Sequence, residues 1–193
     1  MSFRFLDPGP LIDRELELVA PNERWVDSIL MTCAHPLSIG DERCQSTTRQ
    51  VLLDVVRHAP HGHHASDGTR VPGYTFWMRL SPQYNPPVEM AGGVSLRVGN
   101  TRDIELYFGH IGYGVYPPAR GHRYAERACR LLVPLARAHG LKELWITCNP
   151  DNIASRRTCE RLGCTLVETV LLPSTNVLYQ RGERQKCRYR LEL

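Results

Sequence analysis

Residues suited to binding an anion are concentrated in the Arg-Gly-His-Arg-Tyr-Ala segment at residues 120–125, which follows a glycine-containing strand and begins a helical run. Unpaired N–H groups at a helix start, together with the positive end of the helix dipole, favour an anion. Gly121 permits close approach of the backbone to such a group. The side chains of Arg120, His122 and Arg123 add positive charge, so the segment predicts a pyrophosphate site. A basic helix start without a ligand is the alternative for this turn taken alone.

The same segment resembles the cofactor-binding motif of the GNAT superfamily of acetyl-CoA-dependent N-acetyltransferases, Arg/Gln-x-x-Gly-x-Gly/Ala. Arg120 and Ala125 match the motif, whereas Arg123 stands where the superfamily usually has glycine. An arginine there places a Cβ and a long cation at the point of closest backbone approach. We therefore expect the phosphates to shift or to gain a guanidinium contact.

A second motif, Asn152-x-x-Ser155 followed by Arg-Leu-Gly163, resembles the RimJ/RimL-like branch of that superfamily. The similarity covers residues 88–170 well and the N-terminal half only in the order of its elements. It implies acetyl-CoA as co-substrate and direct acetyl transfer to an amine. The implied cofactor-binding residues are Gly114, Val115, Tyr116, Arg120, Gly121, His122, Arg123, Tyr124, Ala125, Asn152 and Ser155. Asn152 is equally suited to cap the last helix, and the two uses are compatible.

The resemblance also raises the question of which group protonates the departing thiolate. Many GNAT enzymes have a tyrosine four residues before the glycine, where this chain has Cys159. Ser155 lies one helical turn earlier on the same face and is expected to take this role directly or through water. Because the pKa of a thiol is about 8.5, the departing thiolate needs little assistance from a proton donor near neutral pH. Cys159 is then a packing residue, with a role as proton donor as the alternative.

The amine acceptor must lose a proton before it attacks the thioester, and the oxyanion is expected to be held by a backbone N–H within residues 111–115. His110, Glu105, Tyr107 and a water chain are the candidate bases. We prefer His110, with a hydrogen-bonded histidine of structural role as the alternative.

The elements that position these residues follow from periodicity and turn signals. Helices are predicted at residues 21–31, 47–58, 120–139 and 153–162, with Pro134 causing a kink or a division into two helices. Strands are predicted at residues 16–19, 74–80, 88–98, 109–117, 143–148, 165–172 and 186–193. The short link after the 120–139 helix favours a βαβ crossover with parallel pairing of the flanking strands. The resemblance implies an α/β fold with a mixed, mostly antiparallel central sheet flanked by helices and splayed between its fourth and fifth strands.

Composition is that of a globular protein. The 193 residues, 42% hydrophobic and 23% charged, fit a single domain spanning 1–193. The start lacks a signal-peptide apolar region, and no apolar run approaches the roughly 20 residues of a membrane span. Seven scattered cysteines, an odd number without a Cys-x-x-Cys pair, fit reduced thiols and a cytoplasmic location.

Further expectations concern partners and the alternative function. The net charge of +4 is modest, so binding to nucleic acid is disfavoured, and no membrane partner is expected. His58, His61, His63 and His64 lie in a Gly/Pro-rich loop without metal-ligand spacing, so we predict no metal site. A non-catalytic acyl-CoA-binding or sensing module is the alternative function. Homodimerisation is an expectation from the resemblance alone.

Overall fold

A computed structural model describes residues 3–59, 63–64 and 70–193 of the chain. The strands are β1 (Ile12–Asp13), β2 (Leu16–Val19), β3 (His63–His64), β4 (Arg70–Val71), β5 (Gly73–Leu80), β6 (Met90–Arg97), β7 (Ile111–Val115), β8 (Glu143–Cys148), β9 (Thr165–Leu171) and β10 (Gln185–Glu192). The α-helices are α1 (Val26–Cys33), α2 (Glu42–Ser46), α3 (Arg49–His58), α4 (Tyr124–Ala138), α5 (Ile153–Leu162) and α6 (Val177–Gln180). A π-helical turn, Ile104–Phe108, precedes β7.

The longer strands form two antiparallel sheets that meet along β7 and β8. The first sheet has the order β1-β2-β5-β6-β7 and the second the order β8-β10-β9. Without the two-residue β1, β7 is the fourth strand of the first sheet, and β8 follows it as the fifth. The predicted α/β fold, with a mostly antiparallel sheet splayed between its fourth and fifth strands, is confirmed.

The two sheets are joined at one end of β7. His110 N–H donates to the Trp145 carbonyl at 2.6 Å, and Thr147 Oγ1 donates to the Tyr107 carbonyl at 2.7 Å. Beyond this junction β7 and β8 belong to separate hydrogen-bonded sheets. The prediction that β7 and β8 pair in parallel is therefore wrong. The two strands separate beyond the junction, and a cleft lies where their backbone hydrogen bonds would form.

Helix α4 packs against β2, β6 and β7 of the first sheet and against α5. Its buried face has the predicted spacing and comprises Ala128, Cys129, Leu132, Leu135 and Ala136. The helix begins at Tyr124 rather than at Arg120 and continues without interruption through Pro134, so the division into two helices is wrong. Pro134 is exposed, which lets water bond the carbonyl that its missing N–H leaves free.

Other boundaries differ where local signals are weak. The predicted helix at 21–31 is a 3₁₀ turn, Glu23–Trp25, followed by α1. Helix α2 was not predicted, although Asp41 caps it by accepting the Cys44 N–H at 3.1 Å. Short α6 lies between the strands predicted at residues 165–172 and 186–193, where no helix was predicted. Residues 63–64 and 70–71 pair as strands, whereas His61 and the side chains of His63 and His64 lie outside the described residues.

Two findings bear on partners. In the described part of the chain, no group of three or more His, Cys, Asp or Glu side chains is arranged to hold a metal ion. Among the helices of residues 3–59, 63–64 and 70–193, none combines the length and apolar character of a membrane span.

Candidate active site

The backbone of β7 directs N–H groups into the gap between the two sheets. On the opposite side, Tyr116 N–H donates to the Ala91 carbonyl of β6 at 2.8 Å. Successive residues of a strand point their N–H groups to opposite edges. The N–H groups of Tyr113 and Val115 therefore point away from β6, toward the gap. This edge can donate hydrogen bonds to an extended ligand or to an oxyanion.

The turn between β7 and α4 presents further backbone donors. Gly121 and Arg123 adopt φ values of 89° and 60°, and Arg123, the residue that precedes α4, makes no side-chain hydrogen bond to the helix start. The first N–H groups of α4 thus have no side-chain cap, which is the arrangement that binds anions. The left-handed conformation of Arg123 is one that glycine adopts at lower cost, so the backbone geometry expected for glycine is retained with arginine in place.

Two predicted phosphate-binding cations are paired with carboxylates. Arg120 Nη2 lies 2.6 Å from Asp41 Oδ2, and Arg120 Nε donates to the Val115 carbonyl at 3.1 Å. Burial acts to raise the pKa of Asp41, but hydrogen bonds from Arg120 and the Cys44 N–H outweigh it and leave the pKa below its usual value. Arg123 bonds Glu126 through Nε and Nη2, each at 2.8 Å. Arg120 therefore ties the turn to α2, while Arg123 points back along α4.

A cavity of about 350 Å³, here called the turn cavity, lies between this turn and α5. Arg157 and Arg161 of α5 face it from the side opposite the turn. Neither arginine was predicted as a site residue. The predicted residues on its walls are Val115, Arg120, Gly121, Arg123, Tyr124 and Ala125.

A second cavity of about 410 Å³, here called the strand cleft, lies between β7 and α5. Gly114 and Val115 line it from the strand, and Asn152 and Ser155 line it from the helix. Asn152 Oδ1 accepts the Ser155 N–H at 3.0 Å, so the capping role of Asn152 is present. Ala125 lines both the strand cleft and the turn cavity. The fold thus brings the two sequence motifs together around adjoining cavities.

Tyr113 meets Ser155 across the strand cleft. The Tyr113 hydroxyl lies 2.9 Å from Ser155 Oγ and 3.3 Å from the Ser155 carbonyl, and it is 3.9 Å from Cys159 Sγ. Burial raises the pKa of Tyr113. The pKa of Cys159 is also raised, first by its hydrogen bond with Cys164 and then by burial. Both groups are therefore neutral near pH 7, and Tyr113 holds Ser155 by hydrogen bonding.

His110 is 1% exposed and lies at the junction of the sheets. Its Nδ1 accepts the Trp145 N–H at 2.9 Å, which leaves the proton on Nε2, 3.0 Å from Asn100 Oδ1. Burial, and secondarily the charge of Arg97, lowers the pKa of His110 to about 4. His110 lines none of the cavities described here, so the geometry favours the structural alternative over the preferred role as general base.

The neutral His110 predicts an acid-sensitive fold. A histidine whose folded pKa is about 4 and whose unfolded pKa is near 6.5 binds its proton preferentially in the unfolded state. Stability should therefore fall as pH drops from 6.5 toward 4, by about 1.4 kcal/mol per pH unit from this group. Urea unfolding at several pH values should give a steeper dependence for the parent than for His110→Gln. If the unfolding free energy of both proteins had the same dependence on pH, the assignment of a neutral, buried His110 would be wrong.

The remaining predicted residues are placed as follows. Tyr116 is buried, which raises its pKa to about 12. It lines a third cavity of about 350 Å³, here called the sheet cavity, between α3 and strands β5 to β7. His122 is exposed and stacks on the Tyr124 ring at 5.5 Å. Glu105 is half-buried in the π-helical turn, and neither it nor Tyr107 lines the three cavities.

Four residues that line these cavities were not predicted from the sequence: Tyr113, Arg157, Arg161 and Arg43. For Tyr113 a signal was present, because alternation along a strand puts Gly112 and Gly114 on one face and the tyrosine on the other. Arg157 lies two residues after Ser155 in α5. The sequence alone did not show which face of this helix would line a cavity. Arg43, which lines both the strand cleft and the sheet cavity, comes from a segment without a recognisable motif.

Comparison with known proteins supports the fold described above. Among solved structures, RimL, a ribosomal L7/L12 α-N-protein acetyltransferase in complex with coenzyme A, superposes with a TM-score of 0.66 at 18% identity, covering 95% of this chain and 98% of that one. A putative ribosomal-protein-serine acetyltransferase from Vibrio cholerae gives 0.65 at 14% identity, covering 97% and 100%. The microcin C7 self-immunity acetyltransferase MccE, in complex with acetyl-CoA and AMP, gives 0.65 at 14%, covering 95% and 94%. These likenesses establish a shared fold.

The sequence comparisons address the family directly. No curated protein matches the chain closely enough to count as a relative. The family model of the acetyltransferase (GNAT) domain matches residues 39–165, which is more than half of the chain and includes β7, the turn, α4 and α5. The chain therefore belongs to the acetyltransferase (GNAT) domain family.

Proposed function

We propose that the protein moves the acetyl group of acetyl-CoA directly to an amine, with the thioester in the strand cleft beside Ser155. The observation that carries this proposal is the position of Ser155 on α5, opposite the outward N–H groups of Tyr113 and Val115. Helix α5 supplies a hydroxyl that can contact the thioester sulfur, and β7 supplies N–H donors for the thioester carbonyl oxygen. Both interactions stabilise charge that develops during acetyl transfer from a thioester.

The turn cavity fits the phosphate-bearing end of the co-substrate. Free N–H groups at the start of α4 and the side chains of Arg157 and Arg161 supply hydrogen bonds and positive charge. Because Arg120 and Arg123 already pair with carboxylates, we assign most of the side-chain charge to the two α5 arginines. The pantetheine arm would then lie along β7, where backbone donors face the cleft.

Removing one of these charges should weaken binding of the co-substrate. We expect Arg157→Gln to raise the Kd for coenzyme A about tenfold, since one charge-assisted hydrogen bond to phosphate contributes about 1.4 kcal/mol or more. Calorimetry measures this directly. Arg137→Gln, which removes an exposed arginine near the end of α4, is the matched control and should leave Kd unchanged. An unchanged Kd in Arg157→Gln would contradict the placement of the phosphates.

The chemical step balances without a covalent enzyme intermediate. A neutral amine attacks the thioester carbonyl, a C–N bond forms, and the oxygen becomes an oxyanion held by backbone N–H groups. The C–S bond then breaks, and Ser155 donates a hydrogen bond to the leaving sulfur. The sulfur gains one proton and the nitrogen loses one. Tyr113, neutral and bonded to Ser155, keeps the serine hydroxyl in position.

Proton removal from the amine is assigned to water. The sheet cavity, from which an acceptor would approach the strand cleft, has no carboxylate or histidine among its lining residues in the described part of the chain. His110 has both ring nitrogens engaged, and Glu105 lies outside the cavity walls. An ordered water chain is the candidate base that remains compatible with this geometry.

Turnover tests the enzymatic role against the alternative of a non-catalytic acyl-CoA-binding module. Calorimetry should give a saturable heat with coenzyme A, and acetyl-CoA with a panel of amines should release free thiol faster than acetyl-CoA alone. The panel includes a peptide with a free N-terminus and small amines, because both acceptor classes are candidates. Coenzyme A binding with no amine-dependent thiol release would favour the sensing module.

We further propose that the chain works as a single cytoplasmic domain and forms a homodimer. The cysteines, all free among the described residues, are consistent with a reducing compartment. An edge strand, β9, exposes Leu166, Val167 and Leu171, with Leu171 73% exposed, and such an edge can pair with another chain. Sedimentation equilibrium would test the dimer.

A further inference from the structure

Arg43 of α2 occupies a position between the strand cleft and the sheet cavity, and its side chain lines both. Its guanidinium group lies directly against Gly114, so closely that a Cβ built on Gly114 would overlap it. Gly114 follows Tyr113, whose hydroxyl contacts Ser155. The guanidinium thus stands next to the point where an acceptor in the sheet cavity would meet a thioester in the strand cleft.

Among the described residues, no carboxylate forms a salt bridge with Arg43. Within the described residues, the only hydrogen bonds of Arg43 beyond its helix backbone are accepted by its carbonyl, from Ser46 Oγ at 3.0 Å and Thr47 Oγ1 at 2.8 Å. Asp41, two residues away, is engaged by Arg120 and by the Cys44 N–H. The walls of the sheet cavity contain no acidic side chain in the described part of the chain. A planar guanidinium with free donors at a cavity wall is suited to bidentate pairing with a carboxylate.

The rest of the sheet cavity is mainly apolar. Helix α3 contributes Val51, Leu52 and Val55, and β5 contributes Trp77. The volume of about 350 Å³ is at the lower end of the range for small-molecule pockets. An acceptor that fills this space has an apolar body and is no larger than a small molecule.

We propose that the acceptor is an apolar α-amino acid, or a small molecule with the same arrangement, whose carboxylate pairs with Arg43 while its side chain contacts α3 and Trp77. The carboxylate and the amine of an α-amino acid are separated by one carbon. This matches the proximity of the guanidinium to the reaction point. A protein N-terminus has a neutral amide carbonyl at that position and offers no anion to Arg43. This inference rests on the proposed function and names the substrate class for the same site.

The test compares leucine and phenylalanine with their amides as acceptors, through acetyl-CoA-dependent thiol release. We expect the parent to prefer each acid over its amide in kcat/KM by about tenfold or more, as one charge-assisted pair provides. Arg43→Gln should reduce that ratio about tenfold, and Arg43→Lys, which keeps the charge without the planar fork, should be intermediate. Arg49→Gln is the matched control, since Arg49 is exposed, pairs with Asp27 and lies outside the cavity walls.

A preference for the amides in the parent, or an acid-to-amide ratio that Arg43→Gln leaves unchanged, would overturn the inference while leaving acetyl transfer intact. If no amine provokes thiol release, the proposed function fails instead. Calorimetry of leucine and leucinamide on the coenzyme A-loaded protein then decides the inference separately. Leucine binding that is lost in Arg43→Gln supports it, and absence of leucine binding to the parent refutes it.

Discussion

Replacing Ser155 by alanine is expected to lower kcat for acetyl transfer about 100-fold. This is the lower end of the range for general acid catalysis, because a thiolate is already a good leaving group. The KM for acetyl-CoA should change little, since the hydroxyl acts on charge that develops at sulfur only as the C–S bond breaks. Steady-state thiol release with a saturating amine measures both constants.

The structure makes Ser155→Ala a clean substitution. Asn152 caps the helix through the backbone N–H of residue 155, so this bond survives loss of the hydroxyl. Tyr113 can still donate to the carbonyl of residue 155, to which it lies at 3.3 Å. The variant should therefore unfold at the same temperature as the parent within a few degrees, which circular dichroism would check.

Three further variants distinguish the role of Ser155 from the roles of Tyr113 and Cys159. Tyr113→Phe should lower kcat about tenfold by releasing the serine hydroxyl from its position, and the double variant should resemble Ser155→Ala because the two hydroxyls act as one unit. Cys159→Ala should retain a kcat close to the parent value, since its thiol is fully buried and neutral. A large loss of kcat in Cys159→Ala together with an active Ser155→Ala would assign the proton donor to the cysteine instead.

Replacing Gly92 by alanine is expected to cost about 2–4 kcal/mol of folding free energy and to abolish measurable coenzyme A binding. A Cβ at residue 92 would overlap the carbonyl oxygen of Gly114 in the adjacent strand, and backbone cannot move aside as a flexible side chain can. The strain of such overpacking is typically 1–3 kcal/mol and sometimes more. Relief requires β7 to move, and β7 is the strand that lines the cleft.

Gly93→Ala is the matched control for Gly92→Ala. A Cβ at residue 93 would lie 3.5 Å from the Phe76 carbonyl oxygen and 3.7 Å from Trp77 Cδ1, which are ordinary contacts. The two variants add the same methyl group one residue apart in β6. Urea unfolding and calorimetry with coenzyme A should separate them clearly. If Gly93→Ala loses as much stability and binding as Gly92→Ala, the close approach to Gly114 is not the cause.

Structural features that depend on residues close in sequence could be predicted. The residue order around Asn152 and Gly163 places the bounds of α5 correctly, because a cap and a left-handed glycine act on the backbone within a few residues. The buried face of α4 follows from helical spacing in the same way. A helix start was also predicted within residues 120–125, and α4 begins at Tyr124 without a side-chain cap. That this turn binds an anion stays a prediction.

Pairings between distant residues were decided only by the packing of the two sheets. Tyr113 meets Ser155 across 42 positions, and Arg120 meets Asp41 across 79. His110 looked suited to act as a base, yet the sheet junction buries it and lowers its pKa to about 4. Residue types limit which reactions are available, but desolvation and distance set protonation and contact, and both arise when separated segments pack together. The family and the bounds of α5 could thus be predicted from local residue order, whereas the partner of Ser155 and the position of Arg43 beside Gly114 required the folded chain.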